Sequence, residues 1–415
     1  MRVLVLSQYY WPESFRINEV ARSLREAGCE VTVLTGQPNY PDGQIFTGYS
    51  AWSVGCEEHE GIRIHRVPLA PRGAASAWKL IANYLSFMFA ASLIGPWLLR
   101  GQRFDVVFVY GVSPILKVFP ALVTRRFTGG ALVTWVQDLW PQSLQVTGFV
   151  RSPRVLAIVA SLVGWLYRQN DLLLVQSQGF IPLVAAMSGN TPVEYHPNPG
   201  DQAFPAESEG QAALILQPGF NVVFAGNLGT VQALDTVLAA AQLLSDDPVV
   251  RFVLIGSGSR GEWLRQEVQR LSLTNVQIPG RFVSEAMPAI LAQASALLVS
   301  LTGNSTLSQT VPSKVQAYLA SGRPIIASLD GEGARVVEEA GAGVVCPAED
   351  AGALAAAVRR LSALPAQERA LMGQAGRSYY LNHFEPGMLA SRLVQRFATL
   401  MASRNGTGKK RQTRA

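Results

Sequence analysis

A chain of 415 residues with 48% hydrophobic and 15% charged residues has a globular composition that can bury large cores, and its length predicts two domains. The formal net charge of +6 suits a nucleic acid, an anionic membrane surface or a phosphate-bearing substrate, but no nucleic-acid motif supports the first. Cys29, Cys56 and Cys346 are odd in number and have no metal-ligand spacing, which argues for a reducing compartment and against a disulfide scaffold.

From the amino terminus, Val3 to Leu6 predicts a β-strand and not a signal peptide, since no long apolar region with a small-residue cleavage site follows, so a cytoplasmic location is expected. A polar-aromatic loop from Ser7 to Ser14 leads into a helical pattern at Ile17, Val20, Ala21 and Leu24, which Gly28 ends before the strand Val31 to Leu34. Repeated βαβ alternation of this kind gives an open, mostly parallel sheet with ligands at the strand carboxyl ends. Arg16 stands where the loop enters the helix, and a basic side chain there either meets a phosphate across a cleft or is solvated.

The segment Gly36 to Tyr49 is too rich in Gly, Pro, Asn and Tyr for regular structure. Its rings and amides, Asn39 and Tyr40 among them, suit a sugar or an isoprenoid head group as well as they suit a surface loop packed on its own tyrosines. His59 and His65 flank a predicted hairpin and form no ligand pattern. Leu80 to Leu99 has about the minimum length of a membrane span. As a span it would contain Asn83 and Gly95-Pro96 and would split a βαβ series that must lie on one side. As a core or membrane-surface helix it would be anchored by Trp78 and Lys79 at one end and Trp97 and Arg100 at the other. The second reading is preferred and predicts peripheral association with the inner face of a membrane.

Phe104 to Val109 and Ala131 to Val136 predict two further buried strands. Asp138 lies at the carboxyl end of the second, beside Trp140, where an aspartate orients a hydroxyl or takes its proton; the alternative is a turn cap before Pro141. Leu172 to Val175 continues the series. The turn cluster Tyr195 to Asp201 and the polar, Pro- and Glu-containing segment after it mark a domain boundary, placed between 197 and 198.

A second alternating series starts at Asn221 to Ala225, whose loop Gly226-Asn227-Leu228-Gly229-Thr230 leads into a helix expected to carry Gln232, Ala233 and Leu234. Phe252 to Ile255 is followed by a second glycine turn, Gly256-Ser257-Gly258. Such turns let backbone approach a phosphate, although either alone is a weak signal. Val311 to Pro324 predicts a helix that starts near Pro312, buries Val315, Tyr318 and Leu319, and stops at Gly322 before a buried strand. Ser313 and Lys314 put outward-pointing amides and a cation in its first turn, where an anion binds; a solvated lysine is the alternative. No Asp-x-Asp pair or His cluster offers a metal site, and the tail Asn405 to Ala415 is predicted to be disordered.

Five segments carry a family resemblance: TGQPNYPDGQIFTGY (Thr35 to Tyr49), NYLSFMFAASLIGP (Asn83 to Pro96), QDLWP (Gln137 to Pro141), AGNLGTVQALDTVL (Ala225 to Leu238) and PSKVQAYLASGRP (Pro312 to Pro324). The chain resembles the two-domain GT-B glycosyltransferases related to glycogen synthase and bacterial mannosyltransferases (family four), and most of all the fucosamine-type transferases of O-antigen and capsule synthesis. The resemblance implies an α/β fold of two doubly wound, parallel-sheet, Rossmann-like domains facing a central cleft. Residues 1–197 would bind the acceptor, 198–385 the nucleotide sugar, and 386–404 would form a helix crossing back to the first domain.

The reaction implied is retaining, metal-independent transfer of a sugar such as L-fucosamine, from a UDP- or GDP-sugar to a lipid-diphosphate-linked glycan, with no cofactor. Asp138 and Lys314 are the expected catalytic residues. Arg16, Gly226, Asn227, Gly229, Gln232, Gly256, Gly258, Phe282, Gln309 and Ser313 are expected at the donor, and Asn39, Tyr40 and Trp140 at the acceptor. The chain departs from the family where Asn227 and Gln232 replace an arginine and a lysine and where Gln309 and Ala317 replace two glutamates. Arg16 and Lys314 are the candidates to return positive charge. Two other readings stand beside this one: an epimerase-like GT-B enzyme without a lipid acceptor, and a catalytically degenerate nucleotide-sugar-binding subunit.

Overall fold

The computed structural model describes residues 1–73, 77–146, 152–200, 214–304 and 307–412. Contacts divide the chain into two compact units, Met1–Pro199 with Pro386–Ala415, and Gly200–Glu385. Both are Rossmann-like.

In the first unit the chain runs β1 (Arg2–Leu6), α1 (Arg16–Glu26), β2 (Glu30–Gly36), β3 (Gly55–His59), β4 (Ile62–Val67), α2 (Ala77–Leu98), β5 (Val106–Gly111), α3 (Val118–Thr128), β6 (Ala131–Val136), α4 (Gln142–Val146), α5 (Pro153–Arg168), β7 (Leu172–Val175), α6 (Ile181–Ser188) and β8 (Val193–Tyr195). The sheet order is β3-β4-β2-β1-β5-β6-β7-β8, and every pairing is parallel except the β3–β4 hairpin. That hairpin turns on Glu60 (φ 49°) and Gly61 (φ 71°), the two positive φ values that a tight two-residue turn requires. Alternate strand residues feed opposite cores. Leu4, Leu6, Val107 and Val109 pack under α2, α3, α5 and α6. Val3, Val5, Val106 and Phe108 pack under α1 and the last helix.

In the second unit the order is β9 (Phe220–Asn227), α7 (Leu234–Leu243), β10 (Val250–Ser257), α8 (Gly261–Arg270), β11 (Val276–Gly280), α9 (Met287–Leu291), β12 (Ala296–Ser300), α10 (Ser313–Ser321), β13 (Ile325–Ser328), α11 (Glu332–Glu339), β14 (Gly343–Cys346), α12 (Ala351–Ala363) and α13 (Ala366–His383). The wholly parallel sheet is ordered β11-β10-β9-β12-β13-β14, so the strand order reverses beside β9. Ligands of open α/β sheets bind at such a reversal.

The last helix, α14 (Pro386–Gln412), belongs to the first unit, where Leu393 and Phe397 join the core beside α1. The expectation of a disordered tail from Asn405 is corrected: the backbone stays helical to Gln412. The backbone passes Asn405, Gly406, Thr407 and Gly408, which are poor helix formers, as an extension of a helix already nucleated upstream, where adding a residue costs far less than starting a turn. A second correction concerns Gln232. It lies in a 3₁₀ turn, Thr230–Gln232, and α7 begins only at Leu234, because Ala233 takes a left-handed conformation (φ 46°) and breaks the path. The polar segment expected after Gly200 lies mostly in 201–213, outside the described residues, as does 413–415.

Candidate functional site

The second unit holds a cavity of about 460 Å³ at the carboxyl ends of its central strands. Helix α10 forms one wall. Pro312 caps it with extended backbone, Ser313 and Lys314 open it, and Gly322 (φ 70°, ψ 25°) closes it in the left-handed conformation. Tyr318, one turn after Lys314, staples α10 to β9: its hydroxyl accepts from Ala225 N at 2.8 Å and donates to Ala225 O at 3.2 Å. Lys314 is thereby placed with Nζ 3.7 Å from the Phe224 ring centroid, donating to Gln232 Oε1. Burial pushes its pKa down to about 7, because a dry site disfavours the ammonium.

The opposite wall is the pair of glycine turns. A Cβ at Gly226 (φ +138°) would stand 2.6 Å from Lys314 Cε, and one at Gly256 (φ +144°) would overlap the Gly226 carbonyl. These glycines let two turns and a lysine pack at backbone distance. Of the residues expected at a donor, Gly226, Asn227, Gly256, Phe282, Ser313 and Lys314 line the cavity. Gln232 accepts a hydrogen bond from Lys314, and Gly229 and Gly258 pack against the Asn227 side chain. Gln309 ends a short 3₁₀ turn away from this lining. Arg281, within the segment Gly280 to Val283 expected near the base, also lines the cavity, as do Met287 and Leu291, which the sequence reading missed.

In the first unit the expected residues gather at the carboxyl rim of the sheet. Asp138, just past β6, accepts from Ser113 N at 2.6 Å and from Ser113 Oγ at 2.8 Å, and Trp140 Nε1 donates to the same hydroxyl at 3.0 Å. Arg16 forms an ion pair with Glu19 at 3.6 Å. Tyr40 is exposed and lies in an aromatic cluster with Tyr9 and Phe15, with the Arg72 guanidinium 5.2 Å from its ring centroid. Asn39 has no accessible surface, and its amide is spent on Gln37 O, Arg72 N and Asn83 Nδ2. It shapes the loop and offers nothing to a ligand.

Two charged residues at this rim escaped the sequence reading. Glu13 is buried and accepts from the amides of Asn39 (2.8 Å), Tyr40 (2.7 Å) and Tyr10 (3.2 Å). Burial pushes its pKa up to about 7 against those hydrogen bonds. Lys117 is fully buried, and its Nζ has no hydrogen-bond partner among the described residues; it stands 5.9 Å from the Tyr9 ring centroid. Burial pushes it down to about 7, partly opposed by the Asp138 carboxylate. Among the described residues no group of three or more His, Cys, Asp or Glu side chains could hold a metal ion.

Two Rossmann-like units, the second with a cavity at the carboxyl ends of its strands, are the architecture of the GT-B class. Residues 14–199 match the glycosyl transferase 4-like domain and residues 219–363 the glycosyl transferases group 1, and the chain belongs to this glycosyltransferase family. It is 26% identical over 338 residues to WcaI of Escherichia coli K12, named for colanic acid biosynthesis glycosyl transfer, covering 78% of this chain and 82% of that one. In fold it is similar to the sucrose-phosphate synthase of Thermosynechococcus elongatus (TM-score 0.68, 17% identity, 97% and 99% of the two chains). It is likewise similar to HepE of Anabaena solved with UDP (TM-score 0.65, 13% identity, 96% and 100%).

Proposed function

We propose that this glycosyltransferase moves a sugar of 6-deoxyhexose type, such as L-fucosamine, from a UDP- or GDP-sugar to a lipid-diphosphate-linked glycan at the inner face of the cytoplasmic membrane. It does so with retention and without a metal or other cofactor. The observation that carries the reading is Lys314, a cation held dry at a helix N-terminus opposite two glycine turns. As the bond between the anomeric carbon and the diphosphate breaks, negative charge grows on the leaving phosphate. Lys314 and the amides of Ser313 and Lys314 are fixed donors for that charge. Phe282, Met287 and Leu291 offer the nucleoside an apolar end.

On the acceptor side, the Tyr9, Phe15 and Tyr40 rings offer a stacking surface for a sugar, Arg72 a partner for its diphosphate, and Asp138 an acceptor for the attacking hydroxyl. The UDP bound by HepE supports a uridine donor, and the colanic acid role in the name of WcaI supports a cell-surface polysaccharide product.

The test is transfer by purified protein from a panel of UDP- and GDP-sugars to a lipid-diphosphate-linked N-acetylhexosamine, with chelator present. Product from one donor establishes the reaction and names the sugar. The uncharged Asn227 and Gln232 favour a second reading, a nucleotide-sugar-binding subunit; donor binding without product from any donor would establish that one instead.

A further inference from the structure

The outer side of α2, α3 and α5 has chemistry that neither the donor cavity nor the acceptor rim uses. Trp78, Ile81, Leu85, Phe89, Leu93 and Trp97 form one exposed row along α2 at spacings of three or four residues, Trp78 being 80% and Leu93 77% accessible. Phe127 on α3 and Val155, Ile158 and Trp165 on α5 extend it, and stacking of Phe119 on Trp165 (5.6 Å) joins these two helices. A row of this size is not needed for folding and marks a surface that another apolar phase covers.

Charge identifies that phase. None of α2, α3 and α5 contains an Asp or Glu, while they hold Lys79, Arg126, Arg154 and Arg168, and Arg100 and Arg103 follow α2 directly; Arg125 on α3 is spent on an ion pair with Asp171 (3.0 Å). Apolar residues ringed by cations, with tryptophan at both ends of a helix, match the interface of a negatively charged bilayer. Although Trp78–Leu98 is long and apolar enough to cross a membrane, only its outer side is available. On the inner side Phe87 and Ala91 are buried in the sheet core, and a Cβ at Gly95 would stand 2.9 Å from Leu34 Cδ2. Asn83 is hydrogen-bonded to Gln8 (2.7 Å) and Ala70 O (2.7 Å).

We infer that the outer face of α2, α3 and α5 docks on an anionic lipid bilayer, with α2 lying along the surface and the basic side chains among the head groups. This deepens the lipid-linked reading of the acceptor, and its biological setting rests on that reading, but the contact is measurable without any sugar transfer.

The purified full chain is sedimented with vesicles of phosphatidylcholine alone or with phosphatidylglycerol, at low and high salt. Binding to the mixed vesicles, weakened by salt, with little on phosphatidylcholine alone, is expected. The double variants Phe89→Ser/Leu93→Ser and Arg126→Glu/Arg154→Glu should each lose tenfold or more in partitioning while keeping the wild-type melting temperature. Quenching of the native tryptophan fluorescence by brominated phosphatidylglycerol gives the same answer without any substitution. Absence of the wild type from the mixed vesicles, or undiminished binding by both variants, overturns the inference. So does a concentration-dependent dimer that Phe89→Ser/Leu93→Ser disperses, since a second copy would then cover the face. Vesicle binding without sugar transfer would leave the docking face standing and remove the transferase reading. Transfer to a water-soluble acceptor without vesicle binding would do the reverse.

Discussion

Lys314 gives the sharpest test of the donor site, because its charge is held in reserve. Its ammonium sits against Phe224 with Gln232 Oε1 as an uncharged partner, and burial lowers its pKa to about 7. A diphosphate diester remains anionic at neutral pH and binds the protonated form. Donor affinity should therefore be greatest below about pH 7 and fall as pH rises, approaching tenfold per unit, with a proton taken up on binding. Lys314→Met removes the charged hydrogen bond, worth about 1.5–3 kcal/mol, and should weaken donor binding about 10- to 150-fold while flattening its pH profile. Turnover should fall further, since charge on the leaving phosphate increases in the transition state. Isothermal titration with the donor sugar identified by transfer, from about pH 6 to about pH 9, measures binding, proton uptake and profile together. A wild-type affinity constant across that range, or a Lys314→Met enzyme indistinguishable from it, would refute the reasoning.

Asp138→Asn keeps the shape but weakens the acceptor for the attacking hydroxyl, so turnover should drop about 100-fold or more with donor affinity unchanged, as steady-state kinetics with both substrates varied would report. Gly256→Ala drives a methyl group into the Gly226 carbonyl at φ +144° and should cost about 3 kcal/mol together with donor binding, measurable by thermal melting with and without donor. Glu13 titrates near 7 when folded but at about 4.5 when unfolded, so the fold binds its proton more tightly and loses stability as pH rises between these values. The stability of the wild type relative to Glu13→Gln should therefore fall by about 3 kcal/mol across that window, read from denaturant unfolding at each pH. His196 acts in the other direction. Burial, with Arg396 and Arg392 beside it, lowers its pKa to about 3, so the stability it contributes is present above about pH 6.5 and is lost as pH falls. His196→Gln should flatten that acid limb in the same experiment.

What could be read from the sequence followed from local rules. The buried strands announce themselves as β-branched runs, and Gly322 ends α10 in the left-handed conformation that its position required. The glycine turns were visible too, but not their purpose. They admit each other and Lys314 at backbone distance, which depends on strand register. Gln232 was misplaced because an alanine gives no sign of the left-handed conformation that Ala233 adopts under tertiary pressure. Asn39 looked like a sugar ligand by residue type, yet contacts with Arg72 and Asn83 far along the chain bury it completely. Glu13 and Lys117 were invisible for the same reason: charged residues are usually solvated, and only the folded rim shows these two enclosed. The tail was read from composition, which is blind to a helix already nucleated upstream.

Asn83 makes α2 a ruler. Its amide ties the inner side of the helix to Gln8, Ala70 O and Asn39 at the acceptor rim, while Phe89, Leu93 and Trp97 mark the outer side. One helix diameter, about 10 Å, therefore sets the height of the rim above whatever surface the outer row rests on. For the lipid-diphosphate-linked acceptor proposed above, whose diphosphate would be confined to the head-group plane, such a standoff would select substrates by how far their first sugar projects from the lipid.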